Sequence, residues 1–236
     1  MGLLAPSTLW KRCDDLPDKT WTVVRRREWV VVETCGEIVG EWQDELEAAR
    51  VTRSSIELWA ADRSTEHVAV HAAVLAHDDR VIVLPGRSGI GKSTLALALI
   101  RAGAIYYSDE FAVFNQRGEV LPYPRPLALK QNRGGNHVRV LHVQPCRLGA
   151  VVGRRPLSVK VIANLPFDPG LEAVDAQPQS PALGALHLIE NSVAARSQPR
   201  AVLDVAARVA SESETLVGKR GPSEEAAEFL LRYLAQ

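Results

Sequence analysis

A glycine-rich segment of eight residues carries the strongest chemical signal in the sequence. Residues 86–93 read GRSGIGKS and fill every fixed position of the phosphate-binding pattern G-x-x-x-x-G-K-[ST]. The glycines allow a tight turn that directs successive backbone N–H groups at one anion. In loops of this pattern the lysine reaches the terminal phosphates of a nucleotide and the next hydroxyl ligates Mg²⁺. The candidate nucleotide-binding residues are Gly86, Arg87, Ser88, Gly89, Ile90, Gly91, Lys92, Ser93 and Thr94, and Ser93 is also a candidate metal ligand.

The segments on either side of this loop have the character that the pattern requires. Arg80–Pro85 is an apolar run typical of a strand, and Thr94–Ile100 has the composition of a helix. A helix that begins near Ser93 adds the positive end of its dipole to the loop. The alternative is a chance glycine-rich turn, but the two flanks favour nucleotide binding.

A pair of acids follows the helix at a distance that suits a second part of the same site. Gly103 ends the predicted helix, Ala104–Tyr107 predicts a strand, and Asp109 lies 17 residues after Lys92. One helix and one short strand return Asp109 and Glu110 to the sheet edge that carries the loop, where an acid can hold Mg²⁺. Paired acids at a strand end are often solvated turn residues, and the neighbouring phosphate loop favours a site instead.

The strand that feeds the loop is predicted to pair with the segment just before it. Residues 67–76 are largely apolar, and Asp78 and Asp79 separate them from Arg80–Pro85, which predicts a β-hairpin. An antiparallel neighbour is unusual here, because common phosphate-loop folds reach this strand through a parallel crossover. His71 lies in the first strand, and the pattern alone indicates an ordinary strand histidine.

The N-terminal quarter differs in composition from the rest and contains all five tryptophans. We predict a small β-rich lobe over residues 1–62 and a phosphate-loop domain over residues 63–236. Large aromatic residues favour a packed core in the lobe, and a surface for substrate or partner is the alternative. The lobe is predicted to contain strands at Thr20–Val24 and Trp29–Thr34, a short helix at Asp44–Arg50 and a strand at Ser55–Ala60.

Residues 112–160 contain nine basic residues and one acid, whereas the whole chain is neutral with 28 of each. This segment would form a positive rim over phosphates or over an acidic substrate, or else an arginine-rich solvated surface, and composition leaves both open. Arg125 and Lys130 are candidate substrate-binding residues, and Gln131–Asn136 is typical of a mobile loop.

Further elements are predicted along the second half of the chain from hydrophobic periodicity and turn residues. They are a hairpin at Phe111–Leu121, a strand at Leu157–Asn164, a linker at Gln177–Pro181, helices at Ala182–Val193 and Arg200–Ala210, a strand at Thr215–Val217 and a closing helix capped by Ser223.

Composition narrows the class of protein. Three cysteines without metal-ligand spacing suit a reducing compartment, and no apolar run has the length of a membrane span. Acidic residues follow the N-terminus too closely for a secretory signal. The basic segment lacks the aromatic residues of a single-strand nucleic-acid groove. We therefore expect a cytoplasmic protein that binds neither nucleic acid nor membrane.

Four segments, in this order and spacing, resemble the kinase core of the HPr kinase/phosphorylase family. They are His71–Val74, Val81–Leu97, Arg101–Gly103 and Tyr107–Glu110. The later segments Pro124–Lys130, Glu190–Ser192 and Gly218–Gly221 are similar to the small kinase-only relatives of that family, including those that act on lasso-peptide precursors and other peptide-maturation substrates.

The resemblance implies an α/β P-loop kinase fold with a mixed β-sheet, related to ATP-dependent phosphoenolpyruvate carboxykinase. It implies ATP and Mg²⁺ as cofactors and transfer of the γ-phosphoryl group to a serine hydroxyl of a peptide or protein. The family's catalytic residues fall on His71, Lys92, Asp109 and Glu110. The second acid of the family is usually aspartate, so which carboxylate acts as base and which holds the metal stays open. Family members are often homo-oligomers.

Two other functions are compatible with the same residues. A kinase for a free amino acid, sugar or alcohol would keep every candidate residue, and an NTPase or nucleotide-dependent regulator would share the loop. The extended C-terminal signature linked to phosphorolysis is not visible, so the reverse reaction is not expected.

Overall fold

A computed structural model describes residues 18–87, 89–132 and 138–235 of the chain. Ser88 and positions 133–136 of the predicted mobile loop lie outside the described residues, whereas Gln131 and Asn132 belong to a strand. The chain divides after Arg63 into two compact units. No helix among the described residues combines the length and apolar character needed to cross a bilayer.

The first unit is a three-stranded antiparallel sheet with one long helix. Its strands are β1 (Trp21–Arg26), β2 (Trp29–Thr34) and β3 (Glu37–Trp42), and the helix is α1 (Glu45–Arg63). Buried Val30, Val32 and Ala48 form its core, with Trp21 and Trp42 packed against them. Two of the tryptophans, Trp21 and Trp42, therefore pack against the core of this unit, as predicted.

The prediction of a strand at Ser55–Ala60 was wrong, because these residues belong to α1. No glycine or proline interrupts the helix, and Arg53 Nε donates to Glu57 Oε1 at 2.8 Å, one turn further along. Trp21 Nε1 also donates to Ser55 Oγ at 3.0 Å, which fixes this part of the helix to the sheet.

The second unit is a mixed α/β structure, as predicted. Its sheet has eight strands: β4 (His67–His77), β5 (Arg80–Pro85), β6 (Ile105–Ser108), β7 (Phe111–Asn115), β8 (Val120–Leu121), β11 (Val159–Asn164), β12 (Val174–Gln179) and β13 (Glu214–Arg220). Their order is β12-β13-β11-β5-β4-β7-β8, and β6 also pairs with β4. The pairs β5–β11 and β11–β13 are parallel and the others are antiparallel.

Helices cover both faces of this sheet, so its central strands are apolar on both sides. In β5, Val81 and Val83 face a core shared with α3 (Pro181–Glu190) and α4 (Pro199–Glu212). The alternate residues Ile82 and Leu84 face a core shared with α2 (Lys92–Arg101) and α5 (Ser223–Leu234). A separate hairpin of β9 (Leu127–Asn132) and β10 (Val138–Val143) and a short 3-10 helix (Pro145–Leu148) complete the unit.

Two predictions in the C-terminal half are corrected. The predicted linker at Gln177–Pro181 begins inside strand β12, whose place at the sheet edge tolerates Pro178. The predicted cap Ser223 is the first residue of α5. Pro222 holds the cap position, and within the described part of the chain no side chain caps that helix. The hairpin of β4 and β5 is confirmed, and both turn residues, Asp78 and Asp79, have positive φ.

Gly218 allows β12 and β13 to approach more closely than any larger residue would permit. A Cβ added there would lie 2.0 Å from the Asp175 carbonyl oxygen. Gly218→Ala is therefore expected to lower the free energy of unfolding by about 2 kcal/mol, because backbone atoms must move. Urea denaturation would measure this loss. Gly170→Ala is the control, since its Cβ would meet nothing closer than Asp168 Oδ1 at 3.3 Å, and equal stability of the two variants would contradict the prediction.

Candidate active site

Strand β4 brings the two halves of the site together, because it pairs with a different partner on each edge. On one edge Ala72 lies opposite Pro85, the last residue of β5, and Gly86 N–H donates to His71 O at 3.1 Å. On the other edge β4 pairs with β6 and then with β7, and Ala72 N–H donates to Glu110 O at 3.2 Å across the junction. The phosphate loop and the acid pair therefore flank the same short stretch of β4.

The phosphate loop joins β5 to α2, and its three glycines have backbone conformations that other residues rarely adopt. Gly86 has φ 152° and Gly91 has φ 91°. Ile90 packs against Gly86, where an added Cβ would lie 2.1 Å from Ile90 Cδ1. Gly91 is the N-cap residue of α2, and no side chain of the described residues caps this helix. Backbone N–H groups at the start of α2 are thus available to an anion.

Lys92 is the first residue of α2 and turns back over the loop. Its Nζ donates to Gly86 O at 2.5 Å and to Arg87 O at 2.9 Å. Burial lowers the pKa of Lys92, and the carboxylates of Asp109 and Glu110 act in the opposite direction. The ammonium group therefore lies within the loop and within the field of both acids.

Asp109 is the buried member of the acid pair, with 7% of the residue exposed. The Ser93 hydroxyl and the Ala128 N–H both donate to its carboxylate, whereas its Oδ1 has no hydrogen-bond partner among the described residues. Burial raises the pKa of Asp109 to about 6 against these hydrogen bonds. Ser108 fixes the turn that carries Asp109, because the Ser108 hydroxyl accepts hydrogen bonds from the backbone N–H groups of Glu110 and Phe111.

Glu110 and His71 form the more exposed side of the site. The Glu110 side chain is 47% exposed, and its Oε1 lies 3.9 Å from His71 Nδ1. The His71 ring packs against Phe111, with the ring centroids 4.7 Å apart. Burial lowers the pKa of His71, with Glu110 acting in the opposite direction, so the neutral imidazole predominates at pH 7.

These groups surround one cavity of about 530 Å³, a volume in the range of nucleotide-sized ligands. Lys130 lies in its lining, on the strand β9. Arg125 does not line it among the described residues, and its backbone oxygen accepts a bond from Tyr106 Oη at 2.8 Å. The lining consists of His71, Arg87, Gly89, Gly91, Lys92, Ser93, Thr94, Asp109, Glu110, Ala128, Lys130 and Val140.

The residues at the loop fit a Mg²⁺ ion whose ligands are mainly phosphate oxygens. Asp109 offers a buried oxygen that has no partner among the described residues, and the Ser93 hydroxyl is hydrogen-bonded to the same carboxylate. Oxygen donors of this kind suit Mg²⁺. Among the described residues no cluster of three or more His, Cys, Asp or Glu side chains would hold a metal alone, so the remaining ligands would come from a nucleotide and water.

Two lining residues and one buried residue were not predicted from the sequence. Ala128 and Val140 enter the site because β9 and β10 pair beside the loop, a non-local contact that no short pattern encodes. Arg220 lies behind the loop and donates to Gly91 O at 2.9 Å. Its only signal in the sequence is its place in the Gly218–Gly221 segment.

Comparison with known proteins shows a weak structural likeness. No protein-family model matches the chain, and no curated protein matches it. A solved structure, the Hpr(Ser) kinase/phosphatase from Coxiella burnetii, is similar to this chain with a TM-score of 0.39 and 18% sequence identity. The similarity covers 70% of this chain and 94% of that chain. At so low a TM-score, what this chain does is inferred from the residues of its own site.

Proposed function

We propose that this protein is an ATP-dependent phosphotransferase that transfers the γ-phosphoryl group to a serine hydroxyl of a peptide or protein. The observation that carries this proposal is a single cavity lined by a phosphate loop, its lysine and two adjacent carboxylates in different environments. The serine-bearing acceptor follows from the family resemblance of the sequence.

In-line phosphoryl transfer needs positioning and charge neutralisation more than covalent chemistry. The backbone N–H groups at the start of α2 and the Lys92 ammonium would hold the β and γ phosphates. Ser93 and Asp109 would hold Mg²⁺. The ion, when bound, neutralises charge that develops on the phosphate oxygens.

The two carboxylates are assigned different tasks. Asp109 is buried and accepts a hydrogen bond from the Ser93 hydroxyl, which favours a role as metal ligand. Glu110 is half exposed and lies beside a neutral His71, so it is accessible to a hydroxyl on a substrate as large as a peptide. We therefore propose that Glu110 accepts the proton of the substrate hydroxyl and that His71 holds the Glu110 side chain in place.

The test is transfer of label from γ-labelled ATP with Mg²⁺ to a set of serine-bearing peptides and to free amino acids, sugars and alcohols. Label in a serine peptide supports the proposal, and Thr- and Ala-substituted copies of the peptide are the matched controls. Label only in a small molecule would indicate a small-molecule kinase. Phosphate release without any labelled acceptor would indicate an NTPase or nucleotide-dependent regulator.

Glu110→Gln tests the assignment of the base. Transfer is expected to fall about a hundredfold while ATP affinity stays within about twofold, because the amide cannot take the proton but leaves the phosphate loop intact. Single-turnover transfer and calorimetric titration with ATP would measure the two effects. If E110Q transfers phosphate at the wild-type rate, the proton acceptor is not Glu110.

A further inference from the structure

Arg220 is a buried cation directly behind the phosphate loop. It is the last residue of β13, and only 2% of it is exposed. Its Nη2 donates to Gly91 O at 2.9 Å, and its Nη1 donates to Gly221 O and to Ser223 Oγ, both at 3.1 Å. The guanidinium also lies 5.5 Å from the centroid of the Phe167 ring.

No carboxylate neutralises this charge within ion-pair distance among the described residues. Three of the guanidinium contacts are to neutral oxygens, and Nε has no hydrogen-bond partner within the part of the chain that is described. A buried guanidinium without a counter-ion opposes folding. It also lies near the N-terminal ends of α2 and α5, whose dipoles present the same sign of charge. The carboxylate of Glu224, in the first turn of α5, acts on Arg220 without forming an ion pair among the described residues, so the positive charge is only partly balanced.

The carbonyl group that Arg220 contacts belongs to the peptide unit that begins α2. Gly91 O accepts a second bond, from Leu95 N–H at 3.1 Å, which is the first bond of the helix. The N–H of the same peptide unit belongs to Lys92 and, because the peptide is trans, points away from the carbonyl that Arg220 contacts. Donation to a carbonyl oxygen polarises the peptide and strengthens its N–H as a donor. Arg220 therefore acts on one of the groups that would bind phosphate.

The close approach of Arg220 also explains why residue 91 is glycine. The backbone there has φ 91°, and a Cβ would lie 2.6 Å from Arg220 Nη2. The backbone of Arg220 is fixed as well, because its N–H donates to Pro166 O at 3.1 Å and its carbonyl accepts from Asp168 N–H at 2.8 Å. These backbone bonds thus fix the position from which the guanidinium contacts the Gly91–Lys92 peptide.

We infer that Arg220 is a positioning residue of the phosphate site, which orients the Gly91–Lys92 peptide and supplies a buried positive charge that a polyphosphate balances. The inference rests on phosphate binding at the loop, the first step of the proposed function, and is independent of phosphoryl transfer.

The probe is inorganic tripolyphosphate without Mg²⁺, titrated calorimetrically into the full-length protein. Arg220→Met is expected to bind it at least about tenfold more weakly than wild type, because one charge and one oriented donor are lost. Lys219→Met is the matched control: Lys219 precedes Arg220 in the same strand, but its exposed side chain pairs with Asp168 at 2.9 Å. Its affinity is expected to stay within about twofold of wild type.

Each outcome decides the inference. Wild-type affinity in folded R220M, equal weakening in R220M and K219M, or no binding by wild type would overturn it. If R220M does not fold, Arg220→Lys takes its place with an expected loss of about fivefold, because lysine lacks the planar fork. If neither variant folds, Arg220 serves only the stability of the fold, and the inference is overturned. Tripolyphosphate binding that depends on Arg220, in a protein that transfers no label from ATP, would reject the proposed function and retain the inference.

Discussion

Asp109→Asn is expected to lower phosphoryl transfer about a thousandfold while making the ligand-free protein more stable at neutral pH. The loss of activity follows because the amide keeps the shape of the side chain but carries no charge to hold Mg²⁺ with Ser93. The gain in stability follows because the carboxylate is buried and one of its oxygens has no partner among the described residues.

The stability gain is expected to depend on pH in a defined direction. The pKa of Asp109 is about 6 in the folded protein against an ordinary value of 3.8, so the folded state binds more protons than the unfolded state between these values. Ionised Asp109 therefore destabilises the protein increasingly as pH rises from about 4 to about 6. The advantage of D109N is expected to be absent near pH 4 and to reach about 2 to 3 kcal/mol above pH 6.

Urea denaturation of both proteins at pH 5 and pH 7.5, together with single-turnover transfer, measures these effects. Asp168→Asn is the control, because Asp168 is an acid on the surface paired with Lys219, which lowers its pKa instead of raising it. D168N is expected to show no gain in stability and no loss of transfer. A D109N protein that is less stable than wild type at pH 7.5, or as active, would contradict the prediction.

Lys92→Ala is expected to lower transfer by about a hundredfold to a thousandfold and to weaken ATP binding. The ammonium group is the charged donor nearest the loop carbonyls, and its loss removes stabilisation of charge on the transferred phosphoryl group. It also removes the two hydrogen bonds that Lys92 donates within the loop of the ligand-free protein, to Gly86 O and Arg87 O.

Transfer rates and ATP affinities of K92A are to be compared with those of Lys160→Ala. Lys160 is an equivalent cation that pairs with Glu214 at 2.9 Å on the surface, so K160A is expected to behave as wild type in both assays. Equal transfer by K92A and K160A would mean that this loop is not the site of the reaction.

The parts of the structure that the sequence predicted well are those made by neighbouring segments. The β4–β5 hairpin, the helix after the loop and the short strand before Asp109 follow one another along the chain, and each has a clear turn or stop residue, such as Asp78, Asp79 or Gly103. Their order was sufficient to bring His71, Lys92 and Asp109 to one cavity. The roles of Lys92 and Asp109 are proposals that the variants above test.

The wrong predictions concern segments whose structure is decided by distant partners. Ser55–Ala60 alternates as a strand would, but Trp21 and the core of the first unit hold it in a helix. Gln177–Gln179 has the polar and proline-rich composition of a linker, but it pairs with β13 as part of an edge strand. The role of Arg125 in substrate binding stays a prediction: Lys130, on β9, lines the cavity, whereas Arg125 precedes β9 and is not in the described lining.

Strand β4 has a kinetic consequence for how the site is assembled during folding. The contact between His71 and Gly86 spans 15 residues of chain, whereas the contact between Gly91 and Arg220 spans 129. Closing the longer loop costs about 2 kcal/mol more chain entropy. The phosphate loop and its histidine are thus expected to meet early, on the hairpin, and the arginine to reach the loop only after β13 has docked. Substitutions in the hairpin would then slow folding, whereas loss of the Arg220 contact would mainly speed unfolding, a difference that stopped-flow kinetics resolves.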